Sequence, residues 1–264
     1  MKTKEKIMDK RKDLQIEKIV GIAEKAGKKI LEIYNNSDFS GIVDFKADNS
    51  PLTLADRESH KIIDAELKQL FPYPVLSEEG KSVAFQERKN WEIFWLVDPL
   101  DGTKEFIKRN GQFTVNIALI ENKKPVLGVI YVPVSATAYY GEKGKGAFKK
   151  ADGKIETLRV SGKKSDWTAV GSSSHSSPEE ELILKKYPVK RSIAIGSSLK
   201  FCLLAEGKAE IYYRHGPTME WDTAAGQAIV ECSGGYVFDM NELPFLYNKE
   251  SLVNGSFICI TKTS

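Results

Sequence analysis

The sequence predicts an α/β fold in two halves, helices on a largely antiparallel sheet followed by a layer of alternating strands and helices. Three observations carry this. Apolar residues at helical spacing open the chain, two hairpin-like strand pairs occupy its middle, and beyond about residue 155 short apolar runs alternate with helical segments. No Pro/Ser-rich linker and no internal repeat separates residues 1–155 from residues 156–264, so the halves are expected to share one interface as one compact unit.

Ile16, Ile19, Val20, Ala23, Ala26, Ile30 and Ile33 fall on one face of a helix over 14–34, which Asn35 and Asn36 end. Residues 42–46 read as a short strand and 47–51 as a turn. A second helix follows Thr53 and runs to Phe71, where Pro72 and Pro74 close it. Val75-Leu76 is a short strand leading into Ser77-Glu78-Glu79-Gly80. The apolar run 93–97 is a buried strand that should end in a sharp turn at Asp98-Pro99. Residues 113–120 and 125–131 form a hairpin joined by Asn122-Lys123-Lys124, and 137–140 with 147–149 form another. In the second half, strands at 168–171, 191–195, 209–213, 235–238 and 257–260 alternate with helices at 178–186, 198–206 and 222–232.

Composition narrows the function. The 264 residues are 41% hydrophobic and 28% charged, as in a soluble globular protein. A net charge of +3 lacks the clustered basic excess of a nucleic-acid binder, and suits a small anionic substrate. No apolar run has the length of a membrane span. The Lys-rich residues 1–13 lack the apolar core of a signal peptide, and read as a solvated, frayed helix start rather than a membrane-surface anchor. Cys202, Cys232 and Cys259 have no metal-ligand spacing, so buried reduced thiols and a cytoplasmic location are expected.

The chemistry centres on Asp98-Pro99-Leu100-Asp101-Gly102-Thr103. Two carboxylates, a free carbonyl between them and turn amides around Gly102 make a seat for a hard cation and a phosphate, although an ordinary strand end reads the same way. Glu78-Glu79 is a solvated loop pair or an addition to that oxygen set. Asp222 opens a helix, where the dipole alone accounts for a carboxylate, or else it holds a metal or a hydroxyl. Thr53-Leu54-Ala55-Asp56 matches a capping box, while a functional Asp56 would reach Thr103 and make a general base that polarises water. Ser197, Ser198, Lys200 and Arg214 supply hydroxyls and cations for an anion cradle, or simply a solvated helix start. His175 reads as a surface loop histidine.

Together, Glu78-Glu79, the 98–103 segment, Trp221-Asp222-Thr223-Ala224-Ala225-Gly226 and Gly234-Gly235 resemble the inositol monophosphatase superfamily of Mg²⁺-dependent, lithium-sensitive phosphatases. Lys46 to Pro51, Leu76 to Glu79, 95–120 and Ile195 to Leu203 are most similar to its bacterial 3′(2′),5′-bisphosphate nucleotidase branch, from about Glu17 to Ile260. Two departures are the Lys-rich N-terminus and Ser173, where the branch pattern has an arginine.

The resemblance implies an αβαβα layered sugar-phosphatase fold. It implies two or three Mg²⁺ ions on Glu78, Asp98, the Leu100 carbonyl, Asp101 and Asp222. Asp56 and Thr103 would activate the attacking water. Glu78, Leu100, Asp101, Gly102, Thr103 and Asp222 would also border the substrate, and His175, Ser197, Lys200 and Arg214 would hold the nucleotide and its 5′-phosphate. The expected substrate is adenosine 3′,5′-bisphosphate, giving AMP and phosphate in sulfate assimilation, with phosphoadenylyl sulfate as a second substrate. A monomer or homodimer is expected, with peripheral association at the inner membrane as in some bacterial members. The alternatives are an inositol monophosphatase or fructose-1,6-bisphosphatase on the same fold, where a small cyclitol monophosphate would leave Ser197, Lys200 and Arg214 no second phosphate to hold, and a non-catalytic nucleotide or phosphate sensor, which has no use for a water-activating pair.

Overall fold

In the computed structural model, residues 15–36, 43–45, 51–172 and 177–261 are described. The Lys-rich start, most of the 47–51 turn, Ser173 and His175 lie outside the described residues.

Helix α1 (Ile16–Tyr34) buries the predicted apolar stripe and ends at Asn35. Strands β1 (Val43–Phe45) and β2 (Pro51–Thr53) pair antiparallel, so Pro51 opens a strand rather than closing a turn. Thr53 then caps helix α2 (Leu54–Leu70). Strands β3 (Val75–Ser77) and β4 (Ile93–Asp101) run parallel, with a short helix α3 (Phe85–Arg88) between them that lacks a helical repeat of apolar residues. After β4 come helix α4 (Thr103–Ile107) and an antiparallel meander of β5 (Thr114–Glu121), β6 (Lys124–Val132), β7 (Thr137–Glu142), β8 (Gly146–Ala151) and β9 (Lys154–Thr157). These make a seven-stranded sheet, β3-β4-β5-β6-β7-β8-β9, among the described residues. The β5–β6 turn is only Asn122-Lys123, both left-handed (φ 49° and 65°), with Lys124 already in β6. Two such residues match the twist of a hairpin. The edge strand β9 escapes the sequence pattern because its residues are all exposed.

The second half contributes β10 (Trp167–Ser172), α5 (Pro178–Leu184), β11 (Val189–Ile195), α6 (Leu199–Ala205), β12 (Ile211–Arg214), β13 (Thr218–Met219), α7 (Glu220–Cys232), β14 (Tyr236–Asp239), β15 (Val253–Asn254) and β16 (Phe257–Ile260). Its five-stranded sheet has the order β11-β10-β12-β16-β14, parallel at β10–β11 and β10–β12 and antiparallel beyond.

The layers follow from which side chains meet. Strand β4 is buried on both faces, so it reads as an uninterrupted apolar run. Trp95 and Val97 pack with α1 and α2, whereas Phe94 and Leu96 pack with α6, α7 and the second sheet. The far face of that sheet, with Trp167, Ile211 and Ile258, is covered by Ile183 and Leu184 of α5. The result is the αβαβα layering. Each large side chain so buried contributes roughly 1.5–3 kcal/mol. The small residues after Asp222 have a concrete partner: a Cβ on Gly128 of β6 would lie 2.4 Å from the Ala225 carbonyl oxygen, so α7 rests directly on the sheet. Cys202 and Cys259 are buried free thiols, and Cys232 is half-buried rather than buried. Among the described residues, no helix is long and apolar enough to cross a membrane.

Strand β4 does not stop at Val97. It continues to Asp101, and three steps from Asp98 to Asp101 face two from Asn116 to Thr114 on β5. The extra residue makes a bulge, a place in a sheet where a proline that cannot donate is tolerated. The expected sharp turn is therefore a bulge inside a strand, followed by α4.

Candidate active site

Elements from both halves deliver the candidate residues to one place. Glu78 follows β3, Asp98 to Asp101 are the β4 bulge, Gly102 and Thr103 open α4, Ser197 precedes α6, and Asp222 opens α7. A cleft of about 450 Å³ lies among them. Glu78, Asp101, Gly102, Thr103, Ser197, Lys200, Arg214 and Asp222 line it, so both halves of the chain contribute. Asp56, Asp98 and Leu100 are buried behind its wall.

Asp56 satisfies both of its readings at once. Its Oδ2 accepts the Thr53 N–H at 2.8 Å and the Thr53 hydroxyl, closing the capping box. Its Oδ1 accepts the Thr103 hydroxyl at 3.2 Å. Burial pushes the Asp56 carboxyl up to about 6, against the pull of the Thr53 hydrogen bonds and with the help of Glu79 and Glu78.

The bulge carboxylates are held differently. Asp98 Oδ1 accepts the Leu100 N–H at 3.0 Å, which folds the bulge back on itself. Asp101 Oδ2 accepts the Ser198 hydroxyl and the Asn116 amide, the latter at 3.3 Å. Asp222 Oδ2 accepts the Met219 N–H at 2.8 Å. Gly102 adopts φ +93°, and a Cβ there would lie 2.9 Å from the Gln112 carbonyl oxygen, so the step from strand to helix needs glycine.

These acids titrate against one another. Burial raises Asp98 and Asp222 well above the ordinary carboxylate range; Glu78, Asp101 and Asp222 add to it at Asp98, and Asp101 and Glu78 at Asp222. Asp101 is also raised by burial, with Ser198, Lys200 and Asn116 pulling it down. A buried set of carboxylates that destabilise each other as anions is neutralised by protons or by a cation. All the donors are oxygen, which fits a hard divalent cation such as Mg²⁺. Among the described residues no three His, Cys, Asp or Glu side chains form a ready-made cation group. Magnesium characteristically completes its shell with water and substrate oxygens rather than with an all-protein cage.

The same cleft also carries cations. Arg214 lines it, and Ser197 sits in a left-handed conformation (φ 49°) with its buried hydroxyl lacking a hydrogen-bond partner. Lys200 is buried, and its ammonium donates to the carbonyls of Ser197 at 2.6 Å and Ile195 at 3.3 Å. It thus ties down the loop that carries Ser197. Burial lowers its pKa, and Asp101 opposes that shift.

Two positioning groups, Asn116 and Ser59, escaped the sequence reading, and Ser198, read there as part of the anion cradle, instead bonds Asp101. Asn116 and Ser198 hold each other at 2.7 Å as well as Asp101, and Ser59 donates to the Pro99 carbonyl at 2.7 Å. A signal existed in both cases: Asn116 interrupts an apolar strand, and Ser59 lies one turn beyond Asp56 on the same helix.

The chain is similar to known proteins over most of its length. The model of the inositol monophosphatase family matches residues 12–262. The chain is 44% identical over 244 residues to the 3′(2′),5′-bisphosphate nucleotidase CysQ of Escherichia coli (strain K12), covering 92% of this chain and 98% of that one. It is 37% identical over 250 residues to CysQ of Haemophilus influenzae, covering 93% and 92%. Among solved structures, CysQ from Bacteroides thetaiotaomicron superposes with TM-score 0.82 at 47% identity, covering 92% of this chain and 95% of that one. A Thermotoga maritima IMPase superposes with TM-score 0.74 at 25% identity, covering 93% and 91%.

Proposed function

This chain belongs to the inositol monophosphatase family, and from that premise we propose that it is a 3′(2′),5′-bisphosphate nucleotidase. It removes the 3′-phosphate of adenosine 3′,5′-bisphosphate to give AMP and phosphate, and phosphoadenylyl sulfate is its second substrate. The observation that carries this reading is the Thr103–Asp56 contact of 3.2 Å at a cleft lined by both acids and cations.

Glu78, Asp98, Asp101, Asp222 and the Leu100 carbonyl would hold Mg²⁺, whose role when bound is to neutralise phosphate charge and acidify the attacking water. The remaining work belongs to the chain. Thr103 directs its hydroxyl proton to Asp56, which turns its oxygen lone pairs toward the cleft. A water there can pass its proton to Thr103 while Thr103 passes its own to Asp56. With a pKa of about 6, Asp56 is ionised at neutral pH and able to receive that proton. Backbone amides at Gly102 and Thr103 would receive the phosphoryl oxygens. Ser197, Lys200 and Arg214 would hold the 5′-phosphate, which supports a bisphosphate over a sugar monophosphate.

The test is phosphate release from adenosine 3′,5′-bisphosphate, inositol 1-phosphate and fructose 1,6-bisphosphate, with and without Mg²⁺ and Li⁺. Preference for the nucleotide, dependence on Mg²⁺ and inhibition by Li⁺ are expected. Faster hydrolysis of either sugar phosphate would overturn the substrate assignment.

A further inference from the structure

Helix α2 presents Asp56, Ser59 and His60 at positions i, i+3 and i+4, on one face. Each grips a different part of the site. Asp56 takes the Thr103 hydroxyl, Ser59 takes the Pro99 carbonyl of the bulge, and His60 Nδ1 lies 3.0 Å from the Ser77 hydroxyl oxygen. The first contact belongs to the proton-accepting pair. The third reaches the turn that carries Glu78.

Backbone hydrogen bonds fix that turn from one side. The Glu78 N–H donates to the Val97 carbonyl at 3.1 Å, and the Gly80 N–H donates to the Ser77 carbonyl at 3.0 Å. From the other side it is wrapped on the histidine ring, since a Cβ on Gly80 would lie 3.6 Å from His60 Cε1. Ser77 is buried, so its hydroxyl has little water to turn to if the ring is removed. Burial also lowers the His60 pKa, against the pull of Asp64 and Glu79.

We propose that His60 is a positioning residue for Glu78, holding the Ser77–Gly80 turn through its Nδ1–Ser77 bond in register with the helix that bears Asp56. One helix thereby sets the distance between the proton acceptor and the cation side of the cleft. The proposal rests on the reading of Glu78 as a Mg²⁺ ligand.

The test is calorimetric titration of substrate-free protein with Mg²⁺, for the parent, His60→Asn, His60→Gln, Ser77→Ala, the His60→Gln/Ser77→Ala double variant and Glu78→Gln. Asparagine places a polar atom the same number of bonds from Cα as Nδ1, whichever partner donates, whereas glutamine places it one bond further. His60→Asn should bind Mg²⁺ within about twofold of the parent, and His60→Gln and Ser77→Ala about tenfold more weakly, the lower end of what outer partners of metal ligands contribute. The double variant should be no weaker than either single one, because both remove one bond. The dissociation constant is read rather than the amplitude, so a variant that folds poorly loses stoichiometry without imitating the result. Equal binding by His60→Asn and His60→Gln, or additive losses in the double variant, would overturn the positioning role. Glu78→Gln separates the two failures. If it binds Mg²⁺ as the parent does, the ligand assignment falls and takes this proposal with it. If it loses Mg²⁺ while His60→Gln retains it, only the positioning role falls.

Discussion

Helices α2 and α7 begin with the same device and put it to different uses. Asp56 and Asp222 both stand at the third helical position, and each accepts the N-cap N–H on Oδ2 at 2.8 Å, from Thr53 and Met219. The cap pins one oxygen and so aims the other. What differs is the neighbour. Asp56 Oδ1 meets the Thr103 hydroxyl and the carboxyl titrates near 6. Asp222 lies near Asp101 and Glu78, and its pKa is driven well above the ordinary range. A local rule of helix ends supplies the direction, and tertiary neighbours supply the chemistry. A buried acid facing a hydroxyl is suited to take a proton, whereas one facing other acids is suited to a cation.

The sharpest way to break this comparison is to neutralise each acid while keeping its cap. Asp222→Asn still accepts the Met219 N–H through its amide oxygen, so α7 should persist. Phosphate release in saturating Mg²⁺ should fall about 10²–10³-fold, as for other lost electrostatic stabilisers. A loss no larger than the unfolded fraction seen by circular dichroism would reduce Asp222 to a cap. Asp56→Asn should lower kcat about 10²-fold with KM nearly unchanged, the signature of a lost proton acceptor. A rise in KM at constant kcat would instead make Asp56 a binding residue.

The cations of the cleft have their own test. Lys200→Met should raise KM for adenosine 3′,5′-bisphosphate about tenfold, the scale of a lost hydrogen bond to a charged group. Hydrolysis of a substrate with a single phosphate should be little affected. Equal losses on both substrates would mean that Lys200 serves only the Ile195–Ser197 loop to which it is bonded.

The smallest effect concerns stability. Asp56 has a folded-state pKa of about 6 against an ordinary 3.8, so the folded protein binds this proton more tightly than the unfolded chain. That contribution is complete below pH 4 and is lost as pH rises through 6, with Asp98 and Asp222 acting in the same direction. The Asp56 shift alone corresponds to roughly 3 kcal/mol. Most of this is already lost by pH 5.5, leaving about 1 kcal/mol between pH 5.5 and 8, so the metal-free protein should melt on the order of 2–3 °C lower at pH 8 than at pH 5.5, and Mg²⁺ should remove most of the difference. A melting temperature that rises over this range without metal would contradict the shifts.

Much of this was legible in the sequence because it is periodic or local. The α1 stripe, the two hairpins and the Thr53–Asp56 capping box each need only a few neighbouring residues. The bulge was not legible, because Asp98-Pro99 marks a turn and a strand irregularity equally well, and the choice depends on pairing with Asn116 and Thr114. Nor were the roles of Ser59, Asn116 and Ser198, whose partners are distant in the chain. Lys200 was legible as a cation near the cleft but not as one bonded to its own loop. Edge strand β9 carries no apolar alternation, and its residues are exposed.

The division of labour between the two helix starts is tested most directly by Mg²⁺ calorimetry on Asp56→Asn and Asp222→Asn side by side, without substrate. Asp56→Asn should keep a dissociation constant close to the parent's, and Asp222→Asn should bind at least about tenfold more weakly. Equal weakening in both, or a loss confined to Asp56→Asn, would contradict the account.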